Sequence, residues 1–113
     1  MKVSVLIPAY NEARTIARCL EAVYGRNPGR EFEVIIVDDG STDGSYEAAK
    51  AAARPGTKVL RHEKNSGKGT AIRTALAAAT GDIVLIQDAD LEYDPADYAA
   101  LLKPIEEGRA EVV

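Results

Sequence analysis

The sequence predicts an α/β protein: a three-layer α/β/α arrangement around a largely parallel sheet. Three observations predict it. Short apolar runs alternate with amphipathic segments along the whole chain. Successive runs are spaced by about 20 to 30 residues, which suits right-handed crossovers between parallel strands. The runs are apolar throughout, with little period-2 alternation, as expected of strands covered on both faces.

The elements follow in order. Val3–Ile7 (VSVLI) reads as a buried strand. Glu12–Tyr24 reads as a helix with Ile16, Leu20 and Val23 on one face and Gly25 as its stop. Glu33–Val37 (EVIIV) is the second strand, and Asp43–Ala53 the second helix, ended by Arg54-Pro55-Gly56. Lys58–Arg61 is a short third strand. Ser66–Ala79 is a third helix with Ile72, Ala75, Leu76 and Ala79 facing inward, stopped at Gly81. Asp82–Ile86 is the fourth strand. Asp94 caps and Pro95 opens a fourth helix, running to about Glu107, and Ala110–Val113 begins a fifth strand. The sequence stops inside that strand, so residues 1–113 are expected to be the N-terminal part of a domain truncated at its C-terminus.

Bulk composition narrows the function. The 113 residues are enough for one domain, and 46% hydrophobic with 28% charged residues is ordinary for a globular chain. The net charge of -4 gives no electrostatic footprint for nucleic acid. An anionic ligand would need local help from helix ends, a few basic side chains or a metal. The single cysteine, Cys19, excludes an internal disulfide and reads as a small core residue, which suits a reducing, cytoplasmic setting. No run approaches the ~20 apolar residues of a membrane span. The N-terminal run reads as a buried strand rather than a signal peptide.

The polar clusters carry the chemistry, and all of them follow strands. Pro8-Ala9-Tyr10-Asn11-Glu12, Asp38-Asp39-Gly40-Ser41-Thr42-Asp43, Asn65-Ser66-Gly67-Lys68-Gly69 and Gln87-Asp88-Ala89-Asp90 follow the first four strands in turn. In an open parallel sheet the carboxyl ends of the strands lie on one edge, where ligands bind. Asp88 and Asp90, two residues apart, point the same way, so both carboxylates can face one Mg²⁺ or Mn²⁺ that bridges to a diphosphate. The bland alternative is a solvated polar turn. Asp39 can accept a hydrogen bond from a base N–H or a ribose hydroxyl; the bland alternative is a capping cluster in which Ser41, Thr42 and Asp43 cap the second helix, and both can hold. Gly40 is placed for a tight turn or a positive φ. Tyr10 can stack on a base and Glu12 can bond to it, although Glu12 also fits a first-turn acid. The segment around Lys68 is not a P-loop: His62 holds the place of the first glycine and Gly69 follows the lysine. It remains a glycine-rich helix start suited to an anion, or a plain cap with a solvated lysine. His62 reads as a strand-end surface residue rather than a catalytic base, and Arg61, Arg73 and Arg109 as solvated, although Arg73 could reach the edge.

The four motifs together, VSVLIPAYNE, IIVDDGSTD, NSGKGTAIRTAL and GDIVLIQDADLEYDP, resemble the family 2 glycosyltransferases of GT-A fold. Within that family they look most like the dolichyl- or polyprenyl-phosphate sugar transferases, and the resemblance spans essentially the whole chain. It implies a Rossmann-like nucleotide-binding half with Pro8, Ala9, Tyr10 and Glu12 lining the base pocket, Val37 and Asp39 holding base and ribose, and Lys68 near the nucleotide. It implies that Asp88 and Asp90 form the catalytic D-x-D pair on Mg²⁺ or Mn²⁺ and the sugar nucleotide, with Ala89 contributing backbone and Glu92 as a further ligand. The implied donor is a GDP-mannose or UDP-glucose type of sugar nucleotide. The implied acceptor is a lipid phosphate, met by a second half that would bring the enzyme to the membrane surface. A fragment that binds the donor without turnover fits the same residues. A phosphoacceptor receiver domain does not, because its acidic pair ends the first strand and here the pair ends the second.

Overall fold

The computed structural model describes residues 2–25, 32–87 and Ala89. Among the described residues four strands form one parallel sheet: β1 (Val3–Ala9), β2 (Phe32–Asp39), β3 (Thr57–His62) and β4 (Ile83–Ile86). Their order is β3-β2-β1-β4. The chain winds from β1 outward through β2 to β3, then returns to the other side of β1, so the direction of winding reverses between β1 and β4. A crevice at such a reversal, outside the carboxyl ends of the strands, is where open α/β sheets take ligands.

Three helices connect the strands: α1 (Ile16–Gly25), α2 (Ser45–Ala52) and α3 (Lys68–Ala78). One core lies between the sheet and α1 and α2, built from Val3, Val5, Ile7, Val34, Ile36, Ile83 and Leu85 against Ile16, Cys19, Leu20 and Val23. The other lies under α3, where Leu6, Ile35 and Val37 meet Ala71 and Ala75. Alternate residues of β1 and β2 enter opposite cores, as the two-residue period of a strand requires. Cys19 is fully buried in the first core, as its helical position predicts.

Several boundaries differ from the sequence reading. The strands run further toward the carboxyl edge than their apolar residues do: Pro8-Ala9 pairs with Val37-Asp38, and Asp38-Asp39 pairs with Arg61-His62. The helices start later than their patterns suggest. The residues before α1 form a turn around Asn11, which has φ 53°. Gly44 at φ 88° delays α2 to Ser45, and Gly67 at φ 99° delays α3 to Lys68. Leu76, expected inward, is 46% exposed. The small Ala71 and Ala75 form the fully buried contact stripe of α3, joined at its margins by Ile72, Ala78 and Ala79, and this turns Leu76 outward. The fourth helix and fifth strand lie outside the described residues. No described helix is long and apolar enough to cross a membrane.

The amino edge of the sheet is locked by a buried carboxylate. Glu33 Oε2 accepts from Ser4 Oγ at 2.7 Å, Thr80 N at 2.6 Å and Thr80 Oγ1 at 3.1 Å. Lys2 and Lys58 each bring an ammonium to 3.8 Å from Oε1. Burial alone would raise the Glu33 pKa. The hydrogen bonds from Ser4 and Thr80, with the Lys2 charge, outweigh it and hold the carboxyl below its ordinary value. The network ties the exit of α3 to β1 and β2. Glu33→Gln is expected to lower unfolding free energy by about 1–3 kcal/mol, because it weakens the charge-assisted bonds from the buried Ser4 and from Thr80. Urea denaturation at neutral pH measures this, and a midpoint equal to that of the wild type would mean that the network contributes nothing.

Candidate nucleotide-binding cleft

The carboxyl edge is held together by hydrogen bonds between loops. The β1–α1 loop has backbone N–H groups with no helical partner, and the β2–α2 loop together with the first residue of α2 supplies acceptors for three of them. Asn11 N donates to Ser41 Oγ at 2.8 Å, Glu12 N to Ser45 Oγ at 2.7 Å and Ala13 N to Asp43 Oδ2 at 3.2 Å. Asn11 Oδ1 in return accepts from Thr42 N at 2.9 Å. Ser41 and Asp43 therefore brace the entry to α1 more than they cap α2, which the sequence reading had expected of them. Asp43 does also accept from Ser45 N at 3.1 Å, so one bond to the start of α2 survives. Asn tolerates the left-handed conformation that this loop docking requires.

Asp38 and Asp39 are adjacent in sequence and separated by the sheet. Asp38 lies on the α2 side, where Oδ2 accepts from Ser41 N at 3.3 Å and sits 4.0 Å from Arg61 Nε. Arg61 is not simply solvated: its guanidinium lies 4.9 Å from the centre of the Tyr46 ring. Asp39 lies on the α3 side. Its Oδ1 accepts from Ser66 N at 2.9 Å and faces His62 Nδ1 at 2.8 Å, and its Oδ2 accepts from Gly67 N at 2.8 Å. Burial would raise the Asp39 pKa, but the bonds from His62, Ser66 and Gly67 hold it below the ordinary value.

These loops enclose a cavity of about 360 Å³. Its walls are Pro8 and Ala9 at the end of β1, Tyr10 and Glu12 just after it, Asp39 at the end of β2, Asn65, Gly67, Lys68 and Ala71 around the start of α3, and Ala89 after β4. Tyr10 is 45% exposed at the rim, so a ring face is open to a planar ligand. Lys68 opens α3, where the first backbone N–H groups and the helix dipole favour an anion. Ala89 is fixed on its wall by Thr15, whose Oγ1 donates to Ala89 O at 2.8 Å. Just before it, Gln87 is fully buried and its N donates to Leu6 O at 2.9 Å.

Of the residues singled out from sequence, the cavity therefore gathers Pro8, Ala9, Tyr10, Glu12, Asp39, Lys68 and Ala89. Val37 is not on its wall. It is fully buried in the core under α3, because it follows Ile35 on the inward face of β2. Asp88, Asp90 and Glu92 lie outside the described residues. Among the described residues no group of three or more His, Cys, Asp or Glu side chains could hold a metal ion.

A family model, Glycosyl transferase family 2, matches residues 4–113. The chain belongs to that family. The family 2 chain is 33% identical over 109 residues to a dolichol-phosphate mannosyltransferase of Pyrococcus furiosus, covering 96% of this chain and 31% of the relative. It is 38% identical over 112 residues to an undecaprenyl-phosphate 4-deoxy-4-formamido-L-arabinose transferase of Serratia proteamaculans, covering 95% of this chain and 34% of the relative. Among solved structures it superposes on a mannosyltransferase of Pyrobaculum calidifontis, in complex with GDP-Man and Mn²⁺, with TM-score 0.79 and 38% identity over 87% of this chain and 30% of that one. It also matches glucosyl-3-phosphoglycerate synthase of Mycobacterium tuberculosis, in complex with Mn²⁺, UDP and phosphoglyceric acid, with TM-score 0.77 and 33% identity over 92% of this chain and 38% of that one. These 113 residues span about a third of the length of those curated relatives. The four-stranded parallel sheet and its helices are accordingly a family 2, GT-A arrangement.

His62 was misread from sequence as a surface residue. Its side chain is only 18% exposed, and both ring nitrogens have partners, Asp39 Oδ1 and Thr74 Oγ1, each at 2.8 Å. A signal was available. Asp39 and His62 end neighbouring parallel strands and are register partners, so their side chains leave the same face of the sheet.

Proposed function

We propose that this family 2 chain is the donor-binding part of a glycosyltransferase that takes a sugar from a nucleoside diphosphate. The observation that carries the reading is the cavity at the carboxyl edge of the sheet, walled by all four strand-end loops. The base stacks on Tyr10 and lies against Pro8 and Ala9, with Glu12 as a polar partner. Asp39, ionised and aimed at the cavity, accepts from the base or the ribose. Val37 contributes from beneath as core support for Asp39. Lys68 and the start of α3 face the diphosphate.

The proposed metal ligands are Asp88 and Asp90, with Glu92 as a third, and the cation is Mg²⁺ or Mn²⁺. The donor set is hard oxygen, as those ions require. Ala89, the residue between the two aspartates in the sequence, is anchored on the cavity wall by Thr15, which supports this reading. The bound cation would supply positive charge where negative charge develops on the leaving diphosphate.

The acceptor is proposed to be a polyprenyl or dolichyl phosphate. Its phosphate is already ionised at neutral pH, so the nucleophile needs no proton removed and no dedicated base is required. A phosphate oxygen forms the new bond to the anomeric carbon while the bond from that carbon to the donor diphosphate breaks, and the configuration inverts. The chain's own contribution is to hold the donor so that one face of the sugar stays open. An enzyme with such an acceptor would work at the cytoplasmic face of a membrane, as a peripheral protein or through parts beyond these residues. The 113 residues alone, a third of their relatives' length, are proposed to bind donor without turnover.

Calorimetry with UDP-glucose and with GDP-mannose, each with and without Mn²⁺, tests the reading. One of the two should bind with metal dependence, and no binding of either would refute the donor site. In the same assay Asp90→Asn should lose at least about tenfold in metal-dependent affinity, since even an outer partner of a metal site is worth that much. Unchanged metal dependence in that variant would remove Asp90 from the ligand set.

A further inference from the structure

We propose that His62 is a positioning residue for the donor cleft, holding Asp39 so that one carboxylate lone pair stays aimed at the ligand; this rests on the donor-site reading above. The hydrogen bonds run in a continuous line from helix to cavity. Thr74 of α3 brings its hydroxyl to 2.8 Å from His62 Nε2. His62 Nδ1 lies 2.8 Å from Asp39 Oδ1, and Asp39 is on the cavity wall. An ionised carboxylate can only accept, so the hydrogen of that last bond sits on Nδ1.

The count of acceptor sites gives the line its purpose. A carboxylate has about four lone-pair directions, two on each oxygen. On Asp39 Oδ1 both are taken, by His62 Nδ1 and Ser66 N at 2.9 Å. On Oδ2 one is taken, by Gly67 N at 2.8 Å. Among the described residues nothing takes the fourth direction, which remains for a ligand. The amides of Ser66 and Gly67 belong to the loop that leads into α3, so by themselves they would let carboxylate and loop shift together. His62 is fixed independently, by the β3 backbone on one side and by Thr74 on the other. Removing its bond frees the plane of the Asp39 carboxylate, and the remaining lone pair loses its direction. An acceptor pre-aimed in this way gains affinity by sparing the ligand the cost of ordering it.

A residue that merely packed β3 against α3 would affect stability alone. The test therefore compares affinity and stability across substitutions that separate the two ring nitrogens. UDP and GDP, each with Mn²⁺, are titrated into the whole protein that carries this chain, together with thermal melts. His62→Phe should weaken whichever nucleotide binds the wild type by about tenfold. His62→Asn puts an amide N–H near the position of Nδ1 and should recover most of that loss. His62→Gln puts its amide nearer the position of Nε2 and should recover little, even where its melting temperature matches that of His62→Asn. Thr74→Val, which keeps the shape of the helix surface, should weaken binding about threefold and provides a folded variant should His62→Phe not fold. Wild-type affinity in His62→Phe or Thr74→Val, or equal affinities in the Asn and Gln variants, would overturn the role of His62 and leave the donor site standing. Failure of the wild type to bind either nucleotide would overturn both.

Discussion

Gly40→Ala is expected to destabilise the protein by about 2–4 kcal/mol, the combined cost of a forced left-handed backbone and a close contact that cannot relax cheaply. Gly40 has φ 75°, a region that an alanine occupies only under strain. An added Cβ would also stand 2.5 Å from Asn65 N and 2.6 Å from Lys64 C. Both atoms are backbone, so relief requires one loop to move away from the other. Gly40 follows Asp39 directly, and Asn65 precedes the two residues whose amides Asp39 accepts. Any movement that relieves the contact therefore pulls the carboxylate from its donors, and donor affinity should fall together with stability. Gly69→Ala is the matched control, because its added Cβ meets nothing within 4 Å and it lies inside α3. It should leave the unfolding midpoint unchanged or raise it slightly, as alanine does in a helix. Chemical denaturation of the two variants checks the contrast, and equal midpoints would show that the two loops do not need to approach each other.

That close approach marks where the sequence ceases to be legible. The order of elements could be read because strands buried on both faces are apolar runs, and VSVLI, EVIIV and DIVLI are such runs. The site edge could be read because every polar cluster follows a strand. Strand ends were harder. Asp38 and Asp39 are polar and yet remain in the ladder opposite Arg61 and His62, since backbone pairing does not depend on side-chain polarity. Helix starts were harder still. Ser41, Thr42 and Asp43 have the composition of a cap, but Ser41 and Asp43 accept from Asn11 and Ala13, thirty residues earlier in the chain. Capping preference records only that a side chain accepts from a nearby N–H, not which loop owns it. Leu76 failed for another reason: four apolar residues at helical spacing fit more than one phase, and close packing against the sheet selected the alanines. His62 needed the register of β2 against β3, which no local pattern contains.

Asp39→Asn should cost about 2 kcal/mol of donor affinity, roughly thirtyfold, which is the scale of one charge-assisted hydrogen bond. The substitution preserves shape and changes two things. It removes the negative charge from the cavity wall. It also replaces one acceptor oxygen by an NH₂ group, while Ser66, Gly67 and His62 still present their hydrogens at 2.8 to 2.9 Å. If the amide oxygen stays with Ser66 and His62, the new NH₂ faces Gly67 N–H, donor against donor. If it turns, the clash moves to the other pair. Either rotamer leaves a nearly buried donor unsatisfied, at a further cost of about 1–3 kcal/mol in stability. The pH dependence separates charge from shape. Burial pushes the Asp39 carboxyl up, but its three hydrogen bonds and the nearby imidazole hold it below its unfolded value. A group with a depressed folded-state pKa contributes stability that is fully present above its unfolded value, near pH 4, and is lost as pH falls toward and through the folded value. Glu33 and Asp43 are shifted in the same direction, so the wild type should lose stability through several carboxylates as pH drops from about 5 to 3. Asp39→Asn has one fewer group to protonate. Its stability should start lower at pH 7 and fall less steeply over that range, so that the two curves converge in acid. Parallel curves would mean that the Asp39 charge is not linked to folding, and the affinity loss would then have to come from the shape of the cleft alone.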